Sequence, residues 1–228
     1  MTNKPPTLLG EILTHALAGP GLPTTLPPNP LPLLRSWYDE AIKTLGEELG
    51  TAMTIATSTP DGHPAARLVL CKGIDIEPPS LLFFTNYESR KGRELIANPN
   101  AAACFYWDKL ARQARVEGIA ERLPNEHNDR YFASRPMIAR LGAWVSEQSR
   151  PLSSREELLS RVRGVAHRFG LKSLTDESAI PRPAHWGGFR LRAKVVELWV
   201  AGRFRLHDRA VWRATRDPGR WECERLCP

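Results

Sequence analysis

Residues 52–71 read AMTIATSTPDGHPAARLVLC, and this stretch decides the fold. Two short β-rich runs, Ala52 to Ser58 and Ala66 to Cys71, flank the turn signal Pro60-Asp61-Gly62, which predicts an antiparallel pair. The same grammar continues downstream. Leu81 to Thr85, Ala101 to Trp107 and Arg112 to Leu123 are further candidate strands, with Pro78-Pro79 as another break. Gly188 to Arg192, Val195 to Ala201, Ala210 to Thr215 and Trp221 to Leu226 close the series, the last two joined by Asp217-Pro218-Gly219.

Helices are few. Upstream, Leu34, Trp37, Ala41, Ile42, Leu45 and Leu49 recur every three or four residues between charged neighbours, the pattern of an amphipathic helix docked on a core. A short helix is expected from the N-cap Ser89 to Asn98-Pro99, and another over Asn125 to Ser134. A third begins at Ser154, whose capping box is completed by Glu157, and ends near Gly170. Residues 1–30 are proline-rich and read as an arm, leaving 31–228 as one domain. Strands that do not alternate with helices disfavour a parallel doubly wound sheet. The expected class is mainly β with peripheral helices: an antiparallel, closed or nearly closed β-barrel.

Composition narrows the function. The 228 residues carry 32 Lys+Arg against 25 Asp+Glu, a net charge of +7 that attracts anions. Arginine supplies 25 of those cations, and its planar fork grips phosphate and carboxylate in two places at once. No stretch approaches the roughly 20 apolar residues of a membrane span. The apolar run Leu8 to Leu17 is broken by Glu11 and His15, so a cytoplasmic location is expected. The four scattered cysteines, Cys71, Cys104, Cys223 and Cys227, suit neither a disulfide framework nor a zinc site, and no metal is expected. Nucleic-acid binding is disfavoured, because the arginines are dispersed and no reading motif occurs. No glycine-rich phosphate loop is present either, so side chains must hold any nucleotide phosphate.

Four segments concentrate cations beside strand ends. In Arg67-Leu68-Val69-Leu70-Cys71-Lys72, alternation puts Arg67, Val69 and Cys71 on one face and Lys72 on the other. Phe84-Thr85 runs through Asn86 and Ser89 into Arg90-Lys91-Gly92 at a helix N-terminus, a phosphate cradle by its free N–H groups. Tyr131 and Arg135 share a helical face, with Gln148-Ser149 following. Trp186-Gly187-Gly188 begins the fourth, where alternation would aim Arg205, His207 and Arg209 from one side of an extended segment. Histidine there could exchange protons near neutrality.

Together, in order and spacing from about Leu31 to Pro228, these segments resemble the flavin-dependent pyridoxamine (pyridoxine) 5′-phosphate oxidases. The resemblance implies an FMN-binding split barrel, homodimeric with flavin at the interface. It implies FMN contacts from Arg67, Leu68, Val69, Leu70, Cys71, Lys72, Phe84, Thr85, Arg90, Lys91, Gln113, Gln148, Ser149, Trp186 and Arg209. Lys72, Tyr131 and Arg135 would bind the substrate, with Arg205 and His207 over the reacting carbon as catalytic residues. The implied reaction turns pyridoxine or pyridoxamine 5′-phosphate into pyridoxal 5′-phosphate, with O2 as acceptor and H2O2 as product.

Two departures keep an alternative open. Ala139 stands where the family often has a hydroxyl residue beside the substrate phosphate, a loss of about 0.5 to 1.5 kcal/mol. Residues 5–32 contain no Arg and no Tyr, unlike the basic arm common in the family. A sister group of the phenazine-biosynthesis type, which oxidises non-phosphorylated secondary-metabolite precursors with FMN, also lacks that arm.

Overall fold

The computed structural model describes residues 21–171, 173 and 180–228, together with Leu8. Helix α1 (Leu31–Leu45) has Pro32 in its first turn, where a missing N–H costs nothing, and Asn29 accepts the Leu31 N–H at 2.9 Å. Leu31, Leu34, Trp37, Tyr38 and Ala41 are its buried stripe. Gly46, at φ +84°, stops it, and the short α2 (Glu47–Thr51) follows. The expected stripe therefore overran by one member: Leu49 lies past the break and is 66% exposed.

Eight strands follow: β1 (Ala52–Ser58), β2 (Pro64–Asp75), β3 (Ser80–Asn86), β4 (Asn100–Trp107), β5 (Arg112–Arg122), β6 (Trp186–Val200), β7 (Asp208–Ala214) and β8 (Trp221–Leu226). All neighbours are antiparallel, in the order β3-β2-β1-β4-β5-β6-β7-β8, and β3 also pairs with β6. That last pairing closes six strands into a barrel, with β7 and β8 as a flap outside it. The barrel core is filled by alternate residues that point inward, among them Met53, Ile55, Phe83, Phe105, Val116 and Leu198, each fully buried.

β6 belongs to both parts. Its residues 186–192 pair with β3 and its residues 195–200 with β7, while β5 runs along its other edge. The Gly188 to Arg192 and Val195 to Ala201 runs are thus one strand. Their apparent break is a bulge opposite Glu117 and Gly118, where a Cβ on Gly118 would fall 1.8 Å from the Arg192 carbonyl oxygen.

The helices pack outside the barrel. α3 (Arg90–Ala97) is capped by Ser89, α4 (Asn125–Ser134) has the expected limits, and α6 (Arg155–Arg168) is capped by Ser154. α5 (Met137–Val145) was not expected, although its buried Met137, Leu141 and Val145 recur every four residues; Pro136 sets it off from α4. Of the proline-rich arm, residues 1–7 and 9–20 lie outside the described residues. Its last part is docked on the flap: Leu22 donates its N–H to Asp208 at 2.8 Å, and Trp212 donates to the Pro27 carbonyl at 2.8 Å. Among the described residues no helix is long and apolar enough to cross a membrane.

Candidate functional site

A cleft of about 460 Å³ opens between β2, β3, α4, α5 and the start of β6. Its floor is aromatic. Phe84 stacks on Tyr131 with centroids 3.8 Å apart and on Trp186 at 5.4 Å, the planes within 20° of parallel. The Arg135 guanidinium lies 4.7 Å from the Trp186 ring centroid, a cation held on a π face. One of its nitrogens, Nη1, is buried and has no hydrogen-bond partner. Such a group is costly to leave unpaired, and its environment asks for an anion. Burial lowers the Arg135 pKa, partly opposed by Tyr131, while burial raises that of Tyr131 against the pull of Lys72 and Arg135. Lys72 reaches the same cleft from β2 and pairs with Glu47 at 3.0 Å.

A second cleft adjoins the first through Leu68, Lys91 and Gln148 and is lined also by Arg67, Arg90 and Ser149. Here the chain runs off β3 into the N-terminus of α3, where Ser89 accepts the Gly92 N–H at 3.2 Å. The buried Lys91 ammonium donates to Thr85 Oγ1 at 2.9 Å and Gln148 Oε1 at 3.0 Å, all neutral partners. Burial, with the nearby Arg67 charge, lowers its pKa to about 8. Arg67 and Arg90 both bond Glu94, at 3.3 and 2.8 Å. Glu94 is 5% exposed, yet burial is outweighed by hydrogen bonds from Thr57 and Arg90 and by the two arginine charges, which hold its pKa below the usual carboxylate range.

A buried network fixes the walls between these elements. Asn128 donates to the Tyr87 hydroxyl at 3.2 Å and to the Leu123 carbonyl at 3.1 Å, and accepts the Gly188 N–H at 2.8 Å. Tyr87 donates to the Gly188 carbonyl at 3.2 Å. The network ties α4, which carries Tyr131, to β6, which carries Trp186. It leaves no room for a side chain: a Cβ on Gly187 would fall 2.1 Å from the Tyr87 hydroxyl.

Of the sequence-predicted residues, Arg67, Leu68, Val69, Leu70, Lys72, Phe84, Thr85, Arg90, Lys91, Tyr131, Arg135, Gln148, Ser149 and Trp186 line the two clefts. Cys71 is fully buried with its side chain away from them, so only its backbone is available. Gln113, Arg205, His207 and Arg209 line neither cleft. In the sheet, Tyr106, Gln113, Trp199, Arg209 and Leu226 are successive cross-strand partners in one row over β4 to β8. His207 packs against Trp199 with centroids 4.6 Å apart.

The expectation of an extended 205–209 segment is corrected. Arg203–Arg205 form a tight 3-10 turn, with Phe204 at φ +56° and Arg205 at φ +64°, so simple alternation does not apply. Gly202 makes the turn possible, since a Cβ there would meet the Leu206 carbonyl oxygen at 1.8 Å; its N–H bonds His207 Nδ1 at 3.2 Å. Arg209 is on β7 and is held by Glu197 at 2.7 Å. Sequence reasoning missed Glu94, Asn128, Tyr87 and Trp199. Only Glu94 left a signal, its i,i+4 spacing from Arg90.

The walls thus offer flat aromatic faces and two adjoining sets of cations, an arrangement that holds planar, anionic molecules side by side. Comparisons with known proteins agree with this chemistry. Residues 39–169 match the family model described as pyridoxamine 5′-phosphate oxidase, and residues 186–228 match the pyridoxine 5′-phosphate oxidase C-terminal dimerisation region. A pyridoxine/pyridoxamine 5′-phosphate oxidase of Cupriavidus metallidurans is 46% identical over 205 residues, 90% of this chain and 92% of the relative. One from Salinibacter ruber is 46% identical over 200 residues, 88% of this chain and 89% of the relative. Among solved structures, PhzG from Burkholderia lata, in complex with tetrahydrophenazine-1-carboxylic acid, is similar with a TM-score of 0.76 and 31% identity. That match covers 89% of this chain and 94% of PhzG.

Proposed function

This chain belongs to the pyridoxamine 5′-phosphate oxidase family, and from that premise we propose that it oxidises pyridoxine or pyridoxamine 5′-phosphate to pyridoxal 5′-phosphate, with FMN as cofactor, O2 as acceptor and H2O2 as product. One observation carries the reading: a cationic, aromatic-floored cleft holding the unpaired Arg135 nitrogen is continuous with a separate cationic cradle. Two phosphorylated planar molecules need such a pair of neighbouring sockets.

The residues fit FMN. Arg67, Arg90 and Lys91 would hold its phosphate, with Ser149 beside them and the α3 N-terminus adding its free N–H groups and dipole. An anion there would return Lys91 to full protonation. Leu68, Val69 and Leu70, at the cleft wall, would lie along the ring system. When bound, FMN supplies the two-electron redox chemistry, taking hydride equivalents from the substrate and delivering them to O2.

The chain's own residues orient and bind. Lys72, Tyr131 and Arg135 would grip the substrate phosphate, and Phe84 and Trp186 hold Tyr131 and Arg135 in place by stacking. As hydride leaves the reacting carbon, His207 would take the proton from that carbon's oxygen or nitrogen substituent and Arg205 would steady negative charge developing on the substituent, with His207 Nδ1 engaged by the Gly202 N–H. Neither side chain lines its own chain's cleft. A second copy would supply them, together with Gln113 and Arg209, which is consistent with a homodimer built on the matched C-terminal region.

The second reading is oxidation of a non-phosphorylated precursor of the phenazine type. Ala139 on the cleft wall and the similarity to PhzG favour it, whereas two retained cations, Lys72 and Arg135, favour a phosphate. Anaerobic mixing decides between them. Pyridoxine 5′-phosphate should bleach the bound flavin while unphosphorylated pyridoxine does so far less; bleaching only by a dihydrophenazine-type acid would transfer the function to the second reading.

A further inference from the structure

Glu94 is a carboxylate placed where an anion site should have none. It sits at the back of the Arg67–Arg90–Lys91 cradle, 5% exposed. Its Oε2 accepts the Thr57 hydroxyl at 2.5 Å and Arg67 Nη2 at 3.3 Å, and its Oε1 accepts Arg90 Nε at 2.8 Å. Thr57 in turn accepts from Arg67 Nη1 at 2.5 Å. β1, β2 and α3 are therefore tied together through one side chain.

The reason for it lies in α3. Its first turn holds Arg90 and Lys91 and no acidic residue, so two cations sit at the positive end of a helix dipole, and Arg67 adds a third. With no anion bound, that cluster repels itself. A fixed negative charge relieves the repulsion, at the expense of attraction for an incoming phosphate.

We propose that Glu94 is the internal counter-ion of the cradle: it holds Arg67 and Arg90 together in the unliganded protein and sets how strongly the cradle discriminates phosphorylated from unphosphorylated flavin. The proposal rests on the reading of the cradle as the FMN phosphate site. It makes Glu94 a positioning residue that trades affinity for order before the ligand arrives.

The test compares wild type with Glu94→Gln, measuring the dissociation constants of FMN and riboflavin by fluorescence quenching over a range of NaCl, and the melting temperature without flavin. Loss of one unit charge several ångströms from a phosphate in a partly screened site predicts about tenfold tighter FMN binding. Riboflavin affinity should not change, and the FMN salt dependence should steepen. The unliganded protein should melt a few degrees lower. FMN affinity that is unchanged or weaker in the variant overturns the proposal. Wild type that binds FMN and riboflavin equally well overturns instead the reading of the cradle, whatever the variant does. The double variant Glu94→Gln/Arg90→Gln guards against poor folding of the single one. Removing a cation with the carboxylate should restore the unliganded melting temperature toward wild type, and a further drop would show that Glu94 acts only through its hydrogen bonds.

Discussion

The two groups of polar residues on this molecule are built differently. The cleft between β2, β3, α3 and α4 rests on buried supports: Glu94 under the cradle, Asn128 and Tyr87 behind Trp186, and a three-ring stack as floor. The group on β5, β6 and β7 has an exposed turn, with Phe204 74% accessible and two consecutive left-handed residues. The first is preorganised within one chain. The second presents Phe204 on an exposed turn that the described residues leave largely uncovered, as the proposed sharing of the site with a second copy requires. A lesion in the first should therefore cost stability as well as ligand binding, and a lesion in the second should cost turnover alone.

The contrast breaks most visibly at Arg67. Arg67→Ala leaves the buried Glu94 carboxylate with a single cation, and unfolding free energy in urea should fall by about 3 kcal/mol. A change under 1 kcal/mol would mean that the cradle is not prebuilt. Arg135→Ala removes one charged contact worth roughly 1.5 to 3 kcal/mol, so kcat/KM for pyridoxine 5′-phosphate should drop about ten- to a hundredfold while FMN affinity stays. Equal losses for phosphorylated and unphosphorylated substrate would release Arg135 from the phosphate.

On the other side, Arg205→Ala should slow anaerobic flavin reduction by about tenfold, as expected for one lost charge-stabilising contact. Melting temperature and FMN content should not move. Unaltered reduction kinetics would remove Arg205 from the mechanism.

The smallest effect is a pH dependence. Because Lys91 has a pKa of about 8 in the unliganded protein, FMN affinity should be full below pH 8 and fall by at most about tenfold per unit above it. The sign for stability is opposite. The unfolded chain keeps its lysine proton to about pH 10.5, so between 8 and 10.5 it binds more protons than the folded chain, and this group's contribution to unliganded stability rises with pH. Lys91→Met should abolish both trends, as read by quenching and by thermal melts.

Much of the barrel was legible because each strand announces itself by alternation or by the turn that ends it. What escaped was set by distant contacts. The bulge at Ala193–Val195 answers Gly118 on another strand, whereas α5 does carry a helical repeat, Met137, Leu141 and Val145, in a segment only nine residues long. The site divides the same way. Arg67, Lys72, Lys91 and Arg135 were found because clustered cations beside strand ends are visible in one dimension. Glu94 and Asn128 were missed because a lone polar residue in a helix looks solvated until its buried partners on other elements are known. The reading of 205–209 as extended failed on backbone geometry, since Gly202 admits a turn that period-2 reasoning does not foresee.

β6 carries Trp186 at its first residue and Trp199 near its last, inside one continuous strand. Thirteen residues of strand span about 40 Å, so a single chain's two half-sites are held apart by a ruler too stiff to fold back. In the proposed dimer each chain must then serve two different reaction centres. The genetic consequence is complementation: a chain crippled at Arg135 and a chain crippled at Arg205, each slow with its own kind, would together form a mixed dimer with one doubly damaged centre and one intact.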